Sequence, residues 1–145
     1  MSKIASVAEQ MASPMTKMVH TCIRVLDDDR SIAWYKGALD FDIVDQLDFD
    51  NFRLTYLANA ANGFELELTL NKARREPYDL GDGYAHLAVV VSDVDAHHKS
   101  LTAKGIDVGQ VVEFAPGGEL VARFFFATDP DGYKIEILEK SGRFH

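Results

Sequence analysis

From residue 18 onward the polar and apolar positions alternate. In the run HTCIRV, Thr21, Ile23 and Val25 fall on one side and His20, Cys22 and Arg24 on the other, which is the period of a strand. An acidic stretch follows, then an amphipathic segment containing Gly37, then a second apolar run. The order predicted is strand, helix, strand. The same order returns at residue 84, where His20 lies over His86, Val25 over Val91 and Asp27 over Asp93 at an offset of 66. Asp29 or Ser31 can cap the start of the first helix and Ser92 or Asp93 that of the second, while Gly105 supplies the positive φ common just past a helix end. Two further strands close each half, at residues 52–58 and 64–70 in the first and 121–127 and 133–138 in the second. Gly63 then lies over Gly132 and Glu67 over Glu136 at an offset of 69, so the repeat runs to the last strand of each half.

Each half therefore reads βαβββ, a unit too small to bury both faces of its own sheet. The fold class expected is α+β: two βαβββ modules, residues 18–71 and 84–138, forming a curved mixed eight-stranded sheet within one domain spanning 18–140. The connecting stretch LNKARREPYDLGDGY is polar and carries Pro77, Gly81 and Gly83, which suits a crossing between modules. Residues 141–145 form a short tail. Residues 1–17 form an extension, either a short helix on Ile4, Val7, Ala8 and Met11 or a disordered segment, without the continuous apolar stretch of a secretory signal.

Composition narrows the class. At 145 residues and 47% hydrophobic the chain has room for a sizeable core, and no run is long enough to span a membrane. Its net charge of −8 is spread along the sequence, which argues for solubility and against binding nucleic acid through phosphate contacts. Cys22 is the single cysteine, so an internal disulfide is impossible and a reducing compartment, the cytoplasm, is expected.

Strand parity also selects the candidate chemistry. His20, Glu67, His86 and Glu136 each lie opposite the more apolar face of their strand. One His or one Glu on a half-buried strand is ordinary. Here a His on the first strand and a Glu on the last recur at equivalent places in both halves, so the pair of pairs can meet about a pseudo-twofold axis. Two imidazoles and two carboxylates suit octahedral Ni²⁺, Co²⁺ or Mn²⁺ and can hold Zn²⁺. His97, His98 and His145 are expected to be solvated, Trp34 and Tyr35 to pack the first helix, and Cys22, whose repeat partner is Ala88, to be a small packing residue.

On the stretches HTCIRV (20–25), SIAWY (31–35), LELTLN (66–71), GYAHLAV (83–89) and DPDGYKIEILE (129–139), the sequence closely resembles glyoxalase I, or lactoylglutathione lyase, of the vicinal-oxygen-chelate superfamily, in its short bacterial form. The resemblance implies that the metal ligands are His20, Glu67, His86 and Glu136, with one divalent ion per site, Ni²⁺ or Co²⁺ favoured and Zn²⁺ possible. It implies thiol contacts at Arg24 and Asn71, and a homodimer whose sites take His20 and Glu67 from one subunit and His86 and Glu136 from the other. The implied reaction isomerises the hemithioacetal of methylglyoxal and glutathione to S-lactoylglutathione through a metal-stabilised enediolate, with Glu136 as general base and Glu67 as the second carboxylate. No redox cofactor is needed. Before its penultimate strand the family usually carries a basic residue for the thiol's carboxylate. The loop EFAPGGELVARF has none before Arg123, so Arg123 or the run Lys72, Arg74, Arg75 is the expected substitute. Other readings on the same scaffold are a coenzyme A thioester epimerase, a thiol transferase, or a metal-free small-molecule-binding protein. Glu67, where the epimerases typically have Gln, and the four filled ligand positions weigh against the first and the last.

Overall fold

A computed structural model of the chain describes residues 6–7 and 14–145; most of the extension expected at 1–17 lies outside the described residues. From residue 20 onward, eight strands and two helices follow in the order β1 (His20–Val25), α1 (Asp28–Leu39), β2 (Asp42–Asp48), β3 (Phe52–Ala58), β4 (Glu65–Asn71), β5 (Leu87–Val91), α2 (Val94–Ala103), β6 (Val112–Phe114), β7 (Ala122–Thr128) and β8 (Lys134–Glu139). They form two mixed four-stranded sheets of identical topology, β1-β4-β3-β2 and β5-β8-β7-β6, in which the first strand runs parallel to the last and the other pairs are antiparallel. The eight strands expected from the repeat are thus divided within one chain into two hydrogen-bonded sets of four.

Both helices begin at an aspartate whose side chain accepts a backbone N–H three residues on: Asp27 for α1, from Arg30, and Asp93 for α2, from Ala96. Asp93 is one of the caps expected. In the first helix Asp27 takes the role expected of Asp29 or Ser31, because α1 starts earlier and Ser31 is enclosed, its hydroxyl meeting Asp131 at 3.3 Å. Gly105 has the expected positive φ of 73°.

The core draws on both halves. Ile23, Val25, Leu66 and Leu68 from the first sheet and Phe125, Ile135 and Ile137 from the second bury their side chains together with Tyr35 and Leu101 of the helices, which is the apolar parity of each strand turned toward a helix. The halves are also stitched by polar contacts around the turn 129–132. The Tyr35 hydroxyl donates to Asp129 at 2.7 Å, and Asp131 accepts from the backbone N–H of Leu26 at 3.0 Å. Burial raises the Asp129 carboxyl above the usual range and raises the Tyr35 hydroxyl strongly. The Tyr133 hydroxyl accepts from the Arg24 N–H and donates to the Arg24 carbonyl at the open edge of β1.

His97 and His98, expected to be solvated, are instead half-buried on α2. Their Nε2 atoms meet the carbonyls of Ala38 and Gly109, each at 2.8 Å. A carbonyl only accepts, so Nε2 carries the proton in both, and His97 becomes a further link between the halves. Tyr35 packs as expected, and Trp34 lies partly buried against the same core.

Candidate metal centre

The site is built twice, once on each sheet. In the first, β1 and β4 lie parallel with Cys22 opposite Glu67, and β3 brings Tyr56 opposite Glu67 from the other side. Parity sends Leu66 and Leu68 into the core and leaves Glu67 on the other face with His20. The His20 Nε2 atom and the Glu67 Oε2 atom stand 3.5 Å apart. In the second sheet β5 and β8 pair Ala88 with Glu136, β7 pairs Phe126 with Glu136, and His86, just before β5, brings Nε2 to 3.6 Å from Glu136 Oε1. Each imidazole is edge-on to an aromatic ring of the third strand, His20 to Tyr56 at 5.7 Å and His86 to Phe126 at 5.3 Å. The carboxylates are well sheltered and the imidazoles about one third exposed.

The four candidates therefore gather as two His–Glu pairs. Among the described residues, the ligand atoms of no three of the four lie within 4.8 Å of one another; the clusters that do are Asp27, Asp28, Asp29 and Asp93, Asp95, Glu139. Those clusters are occupied in structural work. Asp28 holds Arg53 through two bonds of 2.7 and 3.0 Å, and Asp95 holds Arg123 through two of 2.9 and 3.2 Å.

The donor set of each pair fits a divalent metal. An ion bound at about 2.1 Å to a nitrogen and an oxygen separates them by about 3.0 Å at a right angle and about 3.4 Å at a tetrahedral angle. The observed 3.5 and 3.6 Å are near that range. They are also slightly long for a strong His–carboxylate hydrogen bond.

The substrate candidates divide. Arg24 is exposed on the His20 face and lines a cavity of about 220 Å³ with Tyr78, Tyr84 and Tyr133. Asn71, on the face of Glu67, donates from Nδ2 to the Tyr78 hydroxyl at 2.9 Å, so both residues border Tyr78. Burial raises the hydroxyls of Tyr84 and Tyr133. A larger cavity of about 620 Å³, lined by Phe41, Phe64, Val89, His97 and Phe144, holds none of the four ligand candidates.

Arg123 is not brought to the faces that carry the His–Glu pairs. It shares the parity of the fully buried Phe125 and points to the helix side, where Asp95, Glu113 and Glu139 surround it at 2.9, 3.3 and 3.2 Å. Those bonds hold its guanidinium more firmly protonated and pull the Asp95 carboxyl below its usual range. Arg53 does the same work in the first half, which an offset of 70 in the sequence would have revealed. Of the basic run, Lys72 bonds Asp48 at 2.7 Å and Arg74 stacks 4.3 Å over the Tyr78 ring.

Sequence reasoning passed over Tyr56, Phe126 and Tyr78. The same offset of 70 superposes Tyr56 on Phe126. A hydrogen bond to Glu67 pushes the Tyr56 hydroxyl up to about 12. Burial raises the Cys22 thiol, whose Sγ lies 3.1 Å from the Thr69 hydroxyl and also faces Glu67.

Residues 17–137 match the family model described as Glyoxalase/Bleomycin resistance protein/Dioxygenase superfamily. The chain is 35% identical over 129 residues to the lactoylglutathione lyase of Neisseria meningitidis serogroup A, covering 86% of this chain and 91% of that one. In structure it resembles the trypanothione-dependent glyoxalase I of Leishmania major, with a TM-score of 0.72 at 30% identity over 86% of this chain and 87% of that one. It also resembles glyoxalase I of Zea mays, with a TM-score of 0.75 at 27% identity over 87% of this chain but only 45% of the maize chain. Two βαβββ halves of one topology, a His–Glu pair on the same face of each, and these matches make one conclusion: the chain belongs to the glyoxalase/bleomycin resistance/dioxygenase superfamily and is an enzyme of its lyase kind.

Proposed function

We propose that this protein is a metal-dependent glyoxalase I, converting the hemithioacetal of methylglyoxal and glutathione into S-lactoylglutathione. The observation that carries the reading is the duplicated His–Glu pair, His20 with Glu67 and His86 with Glu136, each at a metal-compatible separation. The pairs stand apart within one chain, so a four-ligand site requires a second copy: His20 and Glu67 of one subunit facing His86 and Glu136 of its partner. Exposed apolar side chains support a homodimer, among them Val90 on the His86 face and Val112, Phe114, Leu120 and Val121 around β6 and β7.

The four side chains would hold one divalent ion, Ni²⁺ or Co²⁺ in preference to Zn²⁺, and that ion supplies Lewis-acid stabilisation of the negative charge that develops on the substrate's two neighbouring oxygens. Glu136 takes the proton from the carbon bearing sulfur. The C–H electron pair becomes a carbon–carbon double bond and the neighbouring carbonyl oxygen gains the charge. A proton is then returned to the second carbon, the hydroxyl on the first carbon gives up its proton and becomes the thioester carbonyl, and the charged oxygen on the second carbon takes up a proton to become the product's hydroxyl, so no oxidant is consumed. Glu67 is the second carboxylate at the site, and sheltering both from water strengthens their hydrogen bonding to substrate. Arg24 and Asn71 are the contacts for the charged ends of the thiol, and the cavity at Tyr78 can take one end of a peptide-sized ligand. An exposed free thiol at Cys22 suits a reducing, cytoplasmic setting.

The test is reconstitution of the metal-free protein with Ni²⁺, Co²⁺ or Zn²⁺ in turn, following thioester formation from methylglyoxal and glutathione. Turnover restored by Ni²⁺ or Co²⁺ and lost in Glu136→Gln supports the reading. Tight metal binding without turnover moves the substrate to another thiol or a coenzyme A ester, and absence of metal binding overturns the metal-dependent enzyme altogether.

A further inference from the structure

Cys22, Arg24, Tyr78, Asp79, Tyr84 and Tyr133 line the cavity of about 220 Å³. Cys22 stands opposite Glu67 in the register of β1 and β4, so the cavity lies beside the His20–Glu67 pair. Below about 300 Å³ a pocket is too small for a whole drug-sized ligand, and this one receives one end of a larger molecule. Its walls are aromatic, and the two charges on them are of opposite sign: Arg24 on β1 and Asp79 on the stretch between β4 and β5. Among the described residues neither side chain belongs to an ion pair, with each other or with a third group. The Arg24 guanidinium makes no hydrogen bond there either, since the Tyr133 hydroxyl engages only its backbone. Asp79 is held by its own turn, in which Oδ1 accepts the Gly81 backbone N–H at 2.9 Å and Gly81 takes a φ of 64°. Opposite charges that border one cavity without bridging leave room for a ligand that carries both signs.

We infer that Asp79 is a specificity-determining residue which, together with Arg24, selects a thiol ending in an α-amino acid: Arg24 takes the carboxylate and Asp79 the ammonium borne on the same carbon. This rests on the reading above, in which Arg24 meets a charged end of the thiol, and adds which end it is. The γ-glutamyl end of glutathione is such a group. A guanidinium donates two parallel bonds to a carboxylate and a carboxylate oxygen accepts from an ammonium, so both contacts are charge-assisted. The rings of Tyr78, Tyr84 and Tyr133 supply apolar walls for the methylene groups that lead toward the sulfur. Asn71 donates to the Tyr78 hydroxyl at 2.9 Å and Arg74 lies 4.3 Å over the Tyr78 ring, which fixes the wall next to Asp79. A coenzyme A thiol carries phosphates and no ammonium beside them. Its phosphates match Arg24 but meet Asp79 as a like charge, which discriminates against it.

The test sets Asp79→Asn against a ligand whose amino group is blocked. Asparagine keeps an Oδ1 acceptor for the Gly81 N–H, so the turn survives while the charge is lost. The full chain is titrated calorimetrically with S-methylglutathione, which cannot form a hemithioacetal, and with its N-acetyl derivative, which lacks the ammonium. The parent is expected to bind the N-acetyl form about 10-fold more weakly than S-methylglutathione. Asp79→Asn is expected to bind S-methylglutathione about 10-fold more weakly than the parent does and to make no distinction between the two ligands. KM for the corresponding methylglyoxal hemithioacetals should follow the same pattern with kcat little changed. A parent that binds both ligands alike, or that binds neither, overturns the inference. So does an Asp79→Asn variant that loses affinity for both equally, since Asp79 then acts only by supporting Arg24. Discrimination in binding without turnover of methylglyoxal and glutathione keeps the amino-acid site and removes the glyoxalase reading; turnover without discrimination does the reverse.

Discussion

The proposed sharing of the site between two chains makes a quantitative prediction for mixed dimers. Take one variant carrying His20→Ala and Glu67→Gln, and a second carrying His86→Ala and Glu136→Gln. Each alone lacks one His–Glu pair from every site, and its turnover is expected to fall at least about 100-fold, since a general base or metal-ligand set is missing throughout. In a heterodimer the mutated pairs of the two chains meet in one site, leaving the other site with His20 and Glu67 from one chain and His86 and Glu136 from its partner, all intact. Random reassortment of equal amounts puts half of the molecules in heterodimers, each with one working site of two, so the mixture should recover about a quarter of the parent activity per chain. The assay is thioester formation after co-refolding or co-expression of differently tagged variants with Ni²⁺ present. The structural basis is that the two pairs do not converge within one chain. A mixture that stays as inactive as its components refutes the shared site and requires each chain to close on itself.

Four further outcomes follow from the contacts described. Glu136→Gln alone should lower kcat by about 10²-fold to 10⁴-fold, and a variant that turns over like the parent removes Glu136 from the proton transfer. Arg24→Ala should raise KM for the glutathione hemithioacetal with little change in kcat, as loss of uniform binding does, whereas Arg123→Ala should leave KM alone and lower the urea midpoint; the opposite ranking would reinstate Arg123 as the thiol contact. Tyr35→Phe should cost about 1.5–3 kcal/mol in urea unfolding, the range for a hydrogen bond to a charged acceptor, because it deletes the 2.7 Å bond to Asp129 that joins the halves; unchanged stability would mean that the turn 129–132 does not latch them. Asp95, held low by Arg123, and Asp48, held low by Lys72, bind protons less readily in the folded chain than at their ordinary value of 3.8. Their contribution is thus fully present above that pH and is lost as pH falls through the depressed folded values. Stability of the parent should drop in that acid window, more steeply than that of Arg123→Ala, and 1 M salt should blunt the difference.

Much of this was readable along the chain, because a strand's period is local. The alternation in HTCIRV and in LELTLN puts His20 and Glu67 opposite the apolar set whatever the rest of the protein does. The repeat then carries the same statement to His86 and Glu136, and the match of Gly63 to Gly132 holds the register of the last strands. The ion pairing of Arg123 is legible in the same way: its parity is that of Phe125, and Arg53 precedes it by 70 residues in the same ion-pair role. The motif DPDG was legible as a resemblance, but its physical work, accepting Tyr35 and the Leu26 N–H across the halves, involves partners about 100 residues away.

The amino-acid sequence by itself determined which side chains share a face, since that depends only on covalent geometry and the count of residues between them. The tertiary structure decided everything that depends on distance between elements far apart in the chain. It set the His–Glu pairs at 3.5 and 3.6 Å and kept the two pairs from meeting within one chain. It put Arg123 among three carboxylates, and it gave Glu67 and Glu136 different neighbours at equivalent places. Packing makes those choices by burying the apolar face of each sheet against its helix, which leaves the opposite faces, and the chemistry on them, turned outward.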